Sequence, residues 1–180
     1  MLKLKNLLKD FNLLATTSRG NEKQMCNELS YLLKEELSDP APMVSKTGIR
    51  GLVAAKTSLN PCDVIEKFRA IVQERPYEFR YALRVIPVER VVPTDLDEVK
   101  RAASELAAKI GENETFRVTV EKRFTSLHTR DFIEAAAAVD RKVDLENPDK
   151  VLLIEVVGGL TGVSLIKPSS VLAVVKEKML

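Results

Sequence analysis

The sequence predicts a mixed α/β (α+β) protein of two small consecutive units, and three observations carry that reading. Stretches whose apolar residues recur at every second position alternate with stretches in which they recur at helical spacing. Gly, Pro, Asn and Asp punctuate these stretches where turns and helix caps require them. A chain of 180 residues can form one compact domain or two small ones, burying roughly two-thirds of the surface its unfolded form exposes.

The first unit opens with a strand over Phe11 to Thr17, after which Ser18, Gly20 and Asn21 turn the chain into a helix. Asn21 with Gln24 three residues on resembles a capping box. Met25, Cys26, Leu29, Leu32 and Leu33 then follow helical spacing until Asp39, Pro40 and Pro42 end it. Met43 to Lys46 and Leu52 to Thr57 are two strands joined by a hairpin around Gly48 and Gly51. Asn60 and Pro61 suit the N-cap and first position of a second helix, with Asp63 at the positive end of its dipole and Val64, Ile65, Phe68, Ile71 and Val72 as its buried stripe. Beyond Pro76, Phe79, Tyr81, Leu83 and Val85 alternate with Arg80, Ala82 and Arg84 as a strand. Strand, helix, strand, strand, helix, strand is the order of a ferredoxin-like unit.

The second unit restarts after Pro87 and Pro93. Thr94 is expected to cap a helix with Asp95, Asp97 and Glu98 in its first turn, Leu96, Val99, Ala103, Leu106 and Ile110 buried, and Gly111 at its end. Phe116, Val118 and Val120 alternate with Arg117, Thr119 and Glu121 in a half-buried strand, and an alanine-rich helix follows over Thr129 to Val139. Val151 to Val157 is almost unbroken apolar sequence, as a central strand covered on both faces requires. Gly158 to Gly162 turns it into a last strand, Val163 to Ile166. The boundary is placed near Pro76, giving units 1–76 and 77–180, with the strand just after Pro76 expected to join the first sheet.

Composition narrows the function classes. With 45% hydrophobic and 30% charged residues, 6 Phe, 3 Tyr and no Trp, the chain is not a membrane span, a collagenous repeat or a mostly disordered segment. Cys26 and Cys62 cannot make a disulfide framework or complete a structural zinc site, and His128 is the single histidine, so no metal and no cofactor is expected. Lys3, Lys5 and Lys9 precede leucines that Asp10 and Asn12 interrupt before any signal-peptide core is reached, so a cytoplasmic location is expected. The formal charge is +2, with 12 basic and 9 acidic residues up to Pro76 and 16 and 17 after it. A nucleic-acid surface must therefore be a local patch.

The stretch around residues 117–130 is the most informative. Lys122, Arg123 and Arg130 surround Phe124, Thr125, Ser126, Leu127 and His128 where a strand gives way to a helix, and cations, hydroxyls and unpaired N–H groups together suit phosphate oxygens. The bland alternative is a solvated loop before a capped helix. Lys167 and Ser169, just past the last strand, extend the same surface if that strand neighbours the earlier one. Gly159-Leu-Thr-Gly162 matches the G-x-x-G of a KH loop, but a KH loop joins helices and this one joins strands, so a hairpin turn accounts for it. No dinucleotide, phosphate-loop or nucleophile-elbow motif occurs. Cys26 falls on the apolar helix stripe, and Cys62, in the first turn of a helix, has no evident catalytic partner.

Glu114 to Ser170 carries Phe116-Arg-Val-Thr-Val-Glu-Lys-Arg-Phe, Thr129-Arg-Asp-Phe-Ile, Val143-Asp-Leu-Glu-Asn-Pro-Asp and Leu152-Leu-Ile-Glu-Val-Val. In these motifs it resembles a THUMP domain, the Val-Asp-Leu-x-Asn-Pro stretch being the most specific. The resemblance implies RNA binding, mainly of tRNA by its acceptor stem and 3′ end, after a ferredoxin-like unit. No catalytic domain is visible and the chain reads Gly162-Val-Ser-Leu-Ile-Lys-Pro near its close, so it is similar to stand-alone THUMP adaptors that present tRNA to a separate cytidine N4-acetyltransferase without acetylating RNA themselves. Carried onto matching positions, the expected contacts are Lys122, Arg123, Thr129, Arg130 and Lys167, with Ser126, His128 and Ser169 beside them. Two alternatives stay open: an RNA-modifying enzyme using Cys62, Asp131 or Asp140, and a module that binds protein only.

Overall fold

The computed structural model describes residues 9–180, so the basic, leucine-rich start containing Lys3 and Lys5 lies outside the described residues. The chain first forms β1 (Leu13–Thr16), α1 (Glu22–Tyr31) prolonged by a π-helical turn (Leu32–Glu36), β2 (Met43–Lys46), β3 (Leu52–Lys56), α2 (Pro61–Glu74) and β4 (Arg84–Pro87). Then come β5 (Arg90–Pro93), α3 (Leu96–Ala107), β6 (Thr115–Arg123), α4 (Thr129–Ala136), β7 (Lys142–Val143), β8 (Lys150–Val157) and β9 (Leu160–Ile166). Last are β10 (Leu172–Ala173) and α5 (Val174–Lys178). Two compact units result: Met1–Val88 with Ser170–Leu180, and Glu89–Ser169. The boundary expected at Pro76 falls inside the first unit, because β4 pairs with β1 and residues 170–180 return to pair with β4.

The first unit is one antiparallel sheet in the order β10-β4-β1-β3-β2, whose β4-β1-β3-β2 part is the ferredoxin-like arrangement the element order predicts. Leu13 and Ala15, Val53 and Ala55, Val85 and Leu172 share a face and pack with Met25, Leu29, Leu33, Val64, Ile65, Phe68 and Val72 from the two helices. Asn60 caps α2 as its sequence indicates, accepting the N–H groups of Cys62 at 2.9 Å and Asp63 at 3.2 Å. Asn21 does not cap α1 through its side chain. Its neighbour Glu22 instead reaches across to accept the Gly51 N–H at 2.8 Å.

The strand expected from Phe79 onward starts only at Arg84. Residues 76–78 form a 3-10 turn, and the Glu28 carboxylate accepts the backbone N–H groups of Arg80, Tyr81 and Ala82, at 2.6, 3.1 and 2.9 Å. A side chain from α1 thus takes donors that a ladder would have used. Phe79 still goes into the core, edge-on to Phe68 with ring centroids 5.5 Å apart.

The second unit is a mixed sheet in the order β5-β9-β8-β6-β7, with β6 parallel to both β7 and β8, and β9 antiparallel to β8 and β5. α3 and α4 cover one face, where Val99, Ala103, Leu106, Phe132 and Ala136 meet Leu152, Ile154, Val156 and Val163. β8 is buried from Val151 to Val157 on both faces, as its unbroken apolar run requires. The cap of α3 is Asp95, whose carboxylate accepts from Asp97 and Glu98 at 2.9 and 3.1 Å. Thr94, expected in that role, instead donates its hydroxyl to the Gly158 carbonyl at 2.8 Å. α3 stops at Ala107, short of Gly111, and the carbonyls of Ile110 and Gly111 are taken by the Arg141 guanidinium at 3.1 and 3.0 Å. α4 stops at Ala136, before Val139, which packs instead with Ala107, Ile110 and Phe116.

One buried carboxylate in the first unit makes a test of this packing. Asp39, 1% exposed, accepts hydrogen bonds from the hydroxyls of Thr57 and Ser58 and the N–H groups of Ser58 and Ala41. Burial pushes its pKa up, but those donors outweigh burial and leave it below the ordinary value of 3.8. A depressed carboxylate stabilises the fold fully above that value and loses its contribution as pH falls through and below it. Urea unfolding at neutral pH should show Asp39→Asn less stable by about 1–3 kcal/mol, with the gap to the parent protein narrowing as the pH drops below 3.8.

Candidate nucleic-acid interface

Because β6 and β8 run parallel, their C-terminal ends lie side by side, with Arg123 opposite Val157. β8 then turns through Gly158 and Gly159 into β9, pairing Val157 with Leu160. Gly158 takes a φ of +62°, and its N–H donates to the Arg123 carbonyl at 2.9 Å. The two-residue turn confirms that Gly159 and Gly162 belong to a strand hairpin and not to a KH loop. The end of β6, residues 124–128, the start of α4 and the 158–159 turn therefore share one rim of the sheet.

Six of the eight residues singled out from the sequence occupy that rim: Lys122, Arg123, Ser126, His128, Thr129 and Arg130. Their availability differs. Lys122 is exposed, its ammonium donates to the Leu127 carbonyl at 3.2 Å, and it makes no ion pair among the described residues. Arg130 is 87% exposed and pairs with Glu134 one turn on at 3.0 Å, a solvated contact that an anion can displace. Ser126 and His128 are exposed, Thr129 is half-buried in the first turn of α4, and the His128 N–H donates to the Asp131 carboxylate at 3.2 Å.

Arg123 is different in kind. Its guanidinium lies 2.7 Å from the carboxylate of Glu155, which is 1% exposed on the neighbouring strand. The pair is a structural tie between β6 and β8, so Arg123 is committed inward and does not offer a free cation to phosphate.

Lys167 and Ser169 do not join the rim. β9 neighbours β8 and β5, not β6, and runs antiparallel, so its end at Ile166 lies opposite Val151 and Arg117. Arg117 and Arg123 are six positions apart along β6, which puts Lys167 about 20 Å away at the other end of the sheet. The expectation of one continuous surface is corrected on that point.

Phe124 was not singled out from the sequence. It is 66% exposed and adopts a φ of +60°, in the left-handed region that bulky side chains avoid. The signal was an aromatic residue between cations and hydroxyls in a loop, a combination that composition alone does not separate from a core residue.

The Val-Asp-Leu-x-Asn-Pro stretch has a local structural role. The Asp144 carboxylate accepts the N–H groups of Asn147 and Glu146, at 2.9 and 3.0 Å, and these hold its pKa below the ordinary range. Asp149 then accepts the Thr115 N–H at 2.8 Å, which fixes where β6 begins. Cys26 is half-buried and burial pushes its thiol pKa up, away from nucleophilic use. Among the described residues no cluster of His, Cys, Asp and Glu could hold a metal ion, and no helix is long and apolar enough to cross a membrane.

These placements separate fold from function in two variants. Arg123→Ala removes a charge-assisted partner from a buried carboxylate and should lower unfolding stability in urea by about 1–3 kcal/mol. Arg130→Ala, at an exposed pair, should change it by less than about 0.5 kcal/mol.

Of the comparisons with known proteins, one falls on this unit and the others extend over both units. The sequence model of the THUMP domain matches residues 93–166. An uncharacterized protein of Methanocaldococcus jannaschii is 30% identical over 168 residues, which covers 90% of this chain and 42% of that protein. The chain therefore spans well under half the length of this curated relative. Among solved structures, TrmN from Thermus thermophilus superposes with a TM-score of 0.59 at 18% identity, over 87% of this chain and 45% of that one. A 4-thiouridine synthetase solved with RNA and ATP gives a TM-score of 0.50 at 18% identity, over 88% and 42%. At such identities the two superpositions speak for the fold. The matched residues run from the end of β5 to the end of β9, so the THUMP domain model covers nearly the whole of the second unit of this chain.

Proposed function

We propose that the protein binds tRNA through the rim at the C-terminal ends of β6 and β8 and presents it to a separate modifying enzyme, without chemistry of its own. RNA binding in the setting of tRNA modification is what a THUMP domain implies, and the match over residues 93–166 carries that much. The single observation that supports this rim as the site is the exposed group of Lys122, Ser126, His128 and Arg130 beside the 158–159 turn. Cations and hydroxyls on a rim position a phosphate backbone without reading sequence, and Thr129 adds a half-buried hydroxyl at the helix start. Arg123 acts one step back, holding β6 to β8 so that the rim keeps its shape.

On this reading the RNA element held is the acceptor stem and 3′ end, and the partner is a tRNA cytidine N4-acetyltransferase. Positioning is the contribution made, since holding a substrate in register with a catalytic group converts a second encounter into an intramolecular one. The 4-thiouridine synthetase that shares the fold was solved as a complex with RNA.

Two measurements test it. In gel-shift titrations, tRNA affinity should fall steeply with added salt, and Lys122→Ala should weaken binding by about 1 kcal/mol and reduce the salt slope by about one. Absence of any shift at low salt would favour a protein-only module. In a reconstituted assay, adding the protein should raise acetylation of tRNA by the separate acetyltransferase, and the protein alone with acetyl-CoA or S-adenosylmethionine should leave tRNA unmodified. Modification by the protein alone would replace the adaptor reading with an enzymatic one.

A further inference from the structure

We propose that Phe124 is a stacking platform for one unpaired RNA base, so that the rim recognises a single-stranded segment and not duplex alone. The inference rests on the RNA-binding reading above and deepens it by naming the state of the nucleotide held. Phe124 is held at a φ of +60°, where glycine would sit without strain and a bulky residue does not. A buried phenylalanine could recover that strain through packing, but this ring is 66% exposed. The loop on either side is fastened: the Arg123 carbonyl receives the Gly158 N–H at 2.9 Å, and the Thr125 hydroxyl receives the Leu127 N–H at 3.2 Å. The ring is therefore presented to solvent by a fixed backbone.

Charge settles which occupant fits. Lys122, two residues before the ring, is exposed and without an ion pair among the described residues, and Ser126, two residues after it, presents a hydroxyl. An apolar ring flanked by a cation and a hydroxyl matches a nucleotide, whose base has a π-face and whose phosphate is anionic. In a paired helix both faces of each base are covered by neighbours, so an exposed ring needs a base that is out of the stack.

The test compares the full chain and its Phe124→Gly, Phe124→Ala and Phe124→Tyr variants on a hairpin RNA with a short single-stranded 3′ overhang and on the same hairpin with a blunt end. The parent protein should prefer the overhang. Phe124→Gly and Phe124→Ala should lose about tenfold in affinity for it while keeping their affinity for the blunt hairpin, and Phe124→Tyr should bind both as the parent does. Phe124→Gly should melt within about 2 °C of the parent, since relief of the left-handed strain offsets the added freedom of the unfolded chain. If the parent prefers the overhang but Phe124→Gly and Phe124→Ala do too, or if the parent shows no preference, the stacking role is overturned and tRNA binding stands. If the parent binds neither RNA, both readings fall together.

Discussion

The parallel pairing of β6 with β8 is the constraint on which the candidate site depends. Two strands that run the same way end at the same edge of the sheet, so whatever follows each of them is brought together there. β6 ends in Lys122 and Arg123 and is followed by a loop carrying Phe124, Ser126 and His128, and after β8 comes a turn of two glycines. The Arg123–Glu155 ion pair and the hydrogen bond from Gly158 to the Arg123 carbonyl tie the two ends at the rim itself. Without a parallel pair the same residues would be dispersed along two edges, as the placement of Lys167 after the antiparallel β9 shows.

A basic residue in a sequence and a cation available to a ligand are different things, and this rim separates them. Arg123, Arg130 and Lys122 lie within nine positions of one another and look alike on paper. One is spent on a buried carboxylate, one shares a solvated pair on its own helix, and one caps a loop carbonyl while remaining exposed. With charge nearly balanced over the whole chain, it is such local differences, and not net charge, that an anionic partner would meet.

What could be read from the sequence was what local chemistry decides. The alternation in β6, the unbroken apolar run of β8, the Asn60-Pro61 start of α2 and the strand-joining role of Gly158 and Gly159 are each set by residues within a few positions of one another. What could not be read was set by partners far along the chain. Residues 79–83 alternate like a strand, yet Glu28, fifty-two positions before Arg80, takes the donors of Arg80, Tyr81 and Ala82. Thr94 looks like a cap, yet it is claimed by Gly158 and Thr161, and Asp95 takes the helix. The return of residues 170–180 to the first sheet, which moves the unit boundary from Pro76, depends on a two-residue pairing with β4 that carries no periodic signal. Phe124 escaped for the complementary reason: aromatic residues are usually buried, and only its backbone angle and exposure mark this one as unusual.

Amide hydrogen exchange of the full chain with and without tRNA tests the central claim most directly, because it asks where the RNA sits without altering any residue. The account predicts added protection at residues 122–130 and 158–159. Protection confined to the opposite end of that sheet, around residues 142–150 and 167–169, would contradict it.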